Sequence, residues 1–376
     1  MAKSLSRSMF SPSKLYVHKR IRDWIGGRVG LEELYPITME LGPSGPGNCN
    51  NHCGFCMHGG YYDVKAMMDF DFYRGIVDQL GGLRHEKTED TRVKGMIFSA
   101  SGEPATNPRI SDFLKYTRES GMDVALISNG SLWRRKEGLV EATLKYANWT
   151  RTSLDAGTPQ TRAKVHGVGI GDYDNVLEGL RMLAEQKKAT GSRCQVGAQI
   201  TVTEDNWREI ERACADVKST GIDYFQIKPV IFHPKDGKSQ LPNDFWEKVV
   251  GFAKVVEELH DGDGFDVWVK YDQFGAIMAP NHEQGTYSRC LARIWPIIEA
   301  TGDVFYCSQT RGLPEFWLGN LHEQTFQEIW KSERRRQVNN SIDVTKCQPV
   351  CRCLWDIKEL EFIVDVTQGK HASSFT

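Results

Sequence analysis

From residue 36 to residue 260, short apolar runs alternate with longer amphipathic ones. That alternation narrows the possible folds more than any other feature of the chain. Ile37–Leu41, Gly95–Ser99, Val124–Ser128, Trp149–Leu154, Gln195–Val202 and Tyr224–Lys228 read as strands. Met68–Leu80, Pro108–Ser120, Lys136–Tyr146, Tyr173–Lys188, Trp207–Ser219 and Phe245–Leu259 read as the helices between and after them. Continuous apolar strands separated by helices predict an α/β chain with a parallel sheet covered by helices. Six such units are too few to close the eight-fold barrel, and in parallel barrels the chemistry sits at the C-terminal strand ends.

Other features limit what the chain can do. It has 376 residues and a net charge of −2, so no global basic field points to nucleic acid. No apolar run approaches a membrane span. The N-terminal twenty residues are basic without an apolar h-region, so a secretory signal is not expected and a cytoplasmic location is. Residues 1–35 read as an N-terminal extension, with Tyr16, Ile21, Trp24 and Ile25 on one side of a helix from Leu15 to Ile25. Three of the ten cysteines lie at 49–56 and five at 290–353, with Cys194 and Cys214 between them. That clustering suggests metal chemistry more than disulfides.

Cys49, Cys53 and Cys56 stand at C-x3-C-x2-C, with Phe55 before the third. Three thiolates on one loop can ligate three irons of a [4Fe–4S] cluster and leave the fourth open. Zinc with His52 or His58 as the extra ligand is the alternative. The cysteine spacing resembles that of the radical S-adenosylmethionine (SAM) superfamily. The resemblance implies a (β/α)6 partial TIM barrel over residues 36–262, with SAM bound to the open iron.

Three strand ends carry the resemblance further. Ser101-Gly102-Glu103-Pro104 follows the second strand, where the family binds the SAM ammonium, and Ser101 replaces its first glycine. Ser128-Asn129-Gly130 and Ser153-Leu154-Asp155 end the third and fourth strands. The resemblance assigns Phe55, Ser101, Gly102, Glu103, Ser128, Asn129, Ser153 and Asp155 to SAM binding. Lys228 ends the sixth strand and is a candidate to face the substrate, or else a lysine packed over the rim.

Residues 263–376 read as a small cysteine-rich unit. Cys290 and Cys307 stand at C-x11-G-x4-C across a hairpin turning at Gly302-Asp303, and Cys347, Cys351 and Cys353 follow. This pattern is similar to the auxiliary-cluster domains called SPASM and twitch. A zinc ribbon is the alternative. Five cysteines fall short of two four-thiolate clusters, so one auxiliary [4Fe–4S] cluster of the twitch kind is expected. Cys290, Cys307 and Cys347 are its expected ligands with Cys351. Cys351 and Cys353 stand too close for both to ligate, so one of them, Cys353 if Cys351 ligates, is the spare thiol, a structural group or a hydrogen-atom donor.

The resemblance implies reductive cleavage of SAM to a 5′-deoxyadenosyl radical that abstracts hydrogen from carbon, with flavodoxin or ferredoxin as electron donor. An auxiliary cluster adds an electron sink. The expected reaction is dehydrogenation or epimerisation of a sugar or aminocyclitol alcohol. Peptide modification is the second reading. Residues 1–35 are much shorter than the leader-binding module that many peptide-modifying members carry. An iron–sulfur electron carrier or a zinc scaffold is the reading outside enzymes, and it leaves the strand-end motifs without a purpose.

Overall fold

The computed structural model describes residues 12–57, 64–99, 101–232, 241–279, 290, 294–344, 347 and 354–367. Strands β1 (Thr38–Leu41), β2 (Gly95–Phe98), β3 (Asp123–Ser128), β4 (Trp149–Ser153), β5 (Gln195–Val202), β6 (Tyr224–Pro229) and β7 (Asp266–Val269) pair in parallel, each with the next. A hairpin, β8 (Ile297–Ile298) and β9 (Asp303–Phe305), continues antiparallel into β10 (Trp317–Asn320). β8 lies parallel to β1, with Glu40 opposite Ile297 and Leu41 opposite Ile298. The C-terminal unit therefore extends the core's own sheet.

The helices are α1 (Lys19–Ile25), α2 (Phe70–Gly81), α3 (Ile110–Glu119), α4 (Leu139–Tyr146), α5 (Pro159–His166), α6 (Asp172–Thr190), α7 (Ile210–Lys218), α8 (Asn243–His260), α9 (Tyr271–Met278), α10 (Phe326–Lys331), α11 (Glu333–Ser341) and α12 (Leu354–Thr367). α6 buries Tyr173, Val176, Leu177, Leu180 and Leu183 as one stripe against the sheet. Each such side chain contributes about 1.5–3 kcal/mol of transfer free energy. Among the described residues, no helix is long and apolar enough to cross a membrane.

The six expected units are present as an open, partial barrel, and a seventh, β7 with α9, extends it. The turn at 261–264, rich in Gly and Asp, joins α8 to β7. It is a tight reversal, with Gly262, Asp263 and Gly264 all at positive φ, and the sheet continues past it. The single helix expected from Leu15 to Ile25 breaks at His18, with a 3-10 turn (Pro12–Val17) before it. α1 buries Arg20 along with its apolar face. That guanidinium donates to the Tyr35 and Pro36 carbonyls at 3.0 and 2.6 Å and to Asp90 at 3.1 Å. It thereby fastens the N-terminal segment beneath β1 and β2, at the end opposite the motifs.

Side chains alternate across each strand. Thr152 faces the helices, where its hydroxyl accepts from Trp133 Nε1 at 2.9 Å. Arg151 and Ser153 therefore face the lumen. Gly197 on β5 lets Tyr224 fold across it, since a Cβ there would lie 2.1 Å from the ring. Tyr224 stacks on Trp268 at 4.1 Å and floors the barrel.

Candidate active site

The cysteine loop leaves β1 and is held by the returning chain. Gly45 and Gly47 donate to the carbonyls of Ala66 and Val64 at 2.8 and 3.1 Å, and Asn48 Nδ2 donates to Ala66 at 2.7 Å. Cys49, Cys53 and Cys56 form no disulfide among the described residues and are half-buried. Burial pushes the Cys49 thiol up to about 11, against the pull of backbone N–H groups of Asn51 and Glu103. Burial raises Cys53 further. Such thiols keep their protons until iron displaces them. Among the described residues, no three His, Cys, Asp or Glu side chains converge on one ion. A cluster requires a different arrangement, one thiolate to each iron, and this loop supplies three.

The second-strand motif packs directly on this loop. A Cβ at Gly102 would lie 2.4 Å from the Gly45 carbonyl oxygen, so only glycine permits the approach. Glu103 is buried, and both its oxygens are engaged. Oε1 accepts from Ala105 N at 3.0 Å and Ser128 Oγ at 2.8 Å, and Oε2 accepts from Asn129 N at 2.7 Å. Burial raises its pKa despite these bonds. Asn129 Nδ2 donates to Asn50 Oδ1 at 2.8 Å, inside the cysteine loop. Glu103, Ser128 and Asn129 thus form one hydrogen-bonded unit joining two strand ends to the candidate cluster loop.

α5 is the element that sequence reasoning missed. Arg162, fully buried, donates to Asp172 at 2.9 Å, to the Ser153 and Leu154 carbonyls at 2.6 and 2.9 Å, and to the Asn129 carbonyl at 2.8 Å. His166 ends the helix. His52 N donates to its carbonyl at 2.8 Å and Gly54 N to that of Val165 at 3.2 Å, on either side of Cys53. Its ring meets Phe55 edge-on at 5.7 Å. Asp155, at a positive φ of 53°, accepts from Thr201 N at 2.5 Å and lies 3.2 Å from His166 Nε2. Burial opposes its ionisation, but His166, Thr201 and Lys228 together hold its pKa below the usual value. Thr158 as N-cap, Pro159 at the first turn and Gly167 just past the end were the available signals for this helix.

Within the lumen, Arg151 donates to Gln226 Oε1 at 3.0 Å, reaching across β5 above Gly197. Gln199 Nε2 donates to Ser153 Oγ at 3.0 Å. Lys228 lies half-buried at the rim on the same side.

The C-terminal unit meets the turn at 101–104 through buried charge. Ser101 Oγ donates to Glu299 Oε1, Arg311 pairs with Glu40 at 3.2 Å and Glu299 at 3.8 Å, and Ser99 donates to Glu40 at 3.0 Å. Neither Glu299 nor Arg311 stood out in the sequence. Cys290 is buried, and Cys307 and Cys347 are half-buried. Cys351 and Cys353 lie outside the described residues.

Two family models match the chain and together span more than half of it. One, the radical SAM superfamily, matches residues 45–217, and the other, the SPASM iron–sulfur cluster-binding domain, matches residues 290–354. A tungsten-containing aldehyde ferredoxin oxidoreductase cofactor-modifying protein of Pyrococcus furiosus is 20% identical, over 76% of this chain and 79% of its own. An AdoMet-dependent heme synthase of Methanosarcina barkeri is 22% identical, again over 76% and 79%. Among solved structures, Streptococcus suis SuiB bound to its precursor peptide SuiA aligns with a TM-score of 0.63 and 16% identity, covering 92% of this chain and 78% of that one. The chain is therefore a radical SAM enzyme, with a core that takes SAM and a [4Fe–4S] cluster and a C-terminal SPASM domain that takes auxiliary iron–sulfur.

Proposed function

We propose that this enzyme oxidises a carbon–hydrogen bond of a small, hydroxyl-bearing molecule held in the barrel lumen. The observation that carries this reading is Gln199. Its carboxamide is buried, bonded to Ser153 on one edge, and its Oε1 has no partner among the described residues. A buried acceptor of this kind calls for a donor, and a substrate hydroxyl supplies one. Arg151, fixed by Gln226, and Lys228 place positive charge beside it and orient the molecule. The Glu103–Ser128–Asn129 unit positions the SAM turn over the lumen. When bound, the core cofactors supply a 5′-deoxyadenosyl radical. Cys290, Cys307, Cys347 and Cys351 are the proposed ligands of one auxiliary cluster, an electron sink that suits dehydrogenation. A hydrogen atom returned by Cys353 would instead give an epimer. Flavodoxin or ferredoxin is the proposed electron donor.

A sugar or aminocyclitol is the substrate class we favour within this reading, although none of the relatives above is named for acting on one. The competing reading is a peptide, since SuiB was solved with its precursor peptide. An anaerobic assay for 5′-deoxyadenosine against sugars, aminocyclitols and peptides separates the two. Stimulation above the substrate-free rate by a polyol supports the proposal, and stimulation by peptides alone overturns it.

A further inference from the structure

The His166 imidazole is 1% exposed and has no part in the chemistry derived so far. Its Nδ1 lies 3.2 Å from Cys53 Sγ. On the far edge, Nε2 meets the Arg162 guanidinium at 2.8 Å and Asp155 Oδ2 at 3.2 Å. Nε2 thus faces both a donor and an acceptor and does not fix the tautomer; the other edge does, because an iron-bound Cys53 thiolate only accepts and so calls for the proton on Nδ1. A doubly protonated ring, paired with Asp155, also carries a proton there. Both forms aim an N–H at the sulfur.

Asn51 agrees with this assignment. Its carboxamide lies 3.1 Å from Nδ1 and 3.4 Å from Ser131 Oγ. Ser131 donates its single proton to Asp172 at 2.9 Å, so toward Asn51 it accepts. Asn51, with its amide flipped, then presents its NH2 to Ser131, and its oxygen shares the single Nδ1 proton with the Cys53 sulfur. The two backbone bonds from His52 and Gly54 to the end of α5 lock the ring against Cys53 whatever the side chains do.

Hydrogen bonds to cluster sulfurs stabilise the reduced, more negative state and raise the reduction potential. We propose that His166 is a positioning residue that donates a hydrogen bond to the Cys53 thiolate and raises the reduction potential of the core cluster. The proposal does not depend on which substrate the enzyme takes.

The test is an EPR-monitored redox titration of the reconstituted, SAM-free holoenzyme. His166→Phe should lower the core-cluster potential by about 59 mV, a tenfold change in a one-electron equilibrium. His166→Gln, which restores an N–H donor, should recover part of that shift. An unchanged potential in His166→Phe at full iron content overturns the proposal. If His166→Phe does not hold its cluster, the wild-type protein decides. With 15N-labelled histidine, pulsed EPR of the reduced core cluster should show a weak 15N coupling, and its absence overturns the proposal.

Discussion

Ser101 Oγ donates a 2.7 Å hydrogen bond to Glu299 Oε1, and both residues are buried. One belongs to the turn after β2, the other follows β8, the first strand of the C-terminal hairpin. Arg311 lies between Glu299 and Glu40 and is the only cation paired with either among the described salt bridges. Replacing it by Met removes the Arg311 charge from beside both buried carboxyl groups. Arg311→Met should therefore destabilise the protein by about 3–5 kcal/mol, measured by urea unfolding.

Glu299→Gln should behave differently, and with a pH dependence. Burial is the main reason the Glu299 carboxyl is held above the ordinary range, outweighing Arg311 and Ser101. A raised carboxyl stabilises the fold while protonated and loses that contribution as pH rises through its folded pKa. The variant should therefore gain stability relative to wild type as pH rises. A difference independent of pH would contradict the assignment.

Gly102→Ala should disturb the cysteine loop, because the added Cβ meets backbone at 2.4 Å and backbone cannot rotate away. Gly54→Ala lies in the same loop with nothing within 4 Å of the added carbon. Iron per chain after reconstitution should fall for the first and hold for the second.

Glu103→Gln puts an NH2 where Ser128, Asn129 and Ala105 all donate. Losing a charge-assisted acceptor costs about 1.5–3 kcal/mol. SAM should bind at least several-fold more weakly, measured by equilibrium dialysis with the cluster intact.

Replacing Cys49, Cys53 and Cys56 together by Ala should leave auxiliary iron alone, about four atoms if one cluster is present. 5′-Deoxyadenosine should vanish. Continued SAM cleavage would place the core cluster elsewhere.

For Cys351 and Cys353, iron analysis of the single Ala variants should identify one ligand and one spare. Loss of iron in both makes both ligands and displaces Cys347. Turnover in D2O should place deuterium at the reacting carbon only if the spare thiol returns a hydrogen atom.

The parallel core was legible because short runs rich in apolar and β-branched residues alternate with longer stretches that, α5 apart, carry one apolar stripe. The seven observed core strands start and stop close to where the pattern changes. α5 escaped because its buried face is Arg162, Val165 and His166, two polar residues to one apolar. Periodicity of hydrophobic residues cannot detect a helix held by hydrogen bonds. The Glu40–Arg311–Glu299 group was hidden for the same reason, since a charged residue in a hairpin reads as exposed until a distant partner buries it. Cysteine spacing, by contrast, is local and was read directly from the chain.

The parallel contact of β8 on β1 also has a consequence for synthesis. β1 leaves the ribosome early, and its outer neighbour arrives only after the whole barrel has been translated. Until then β1 is an open edge strand, with unpaired N–H and C=O groups able to pair with another nascent chain. Translation that stalls before residue 297 should therefore release an aggregation-prone barrel, a hazard that ends only when the C-terminal hairpin docks.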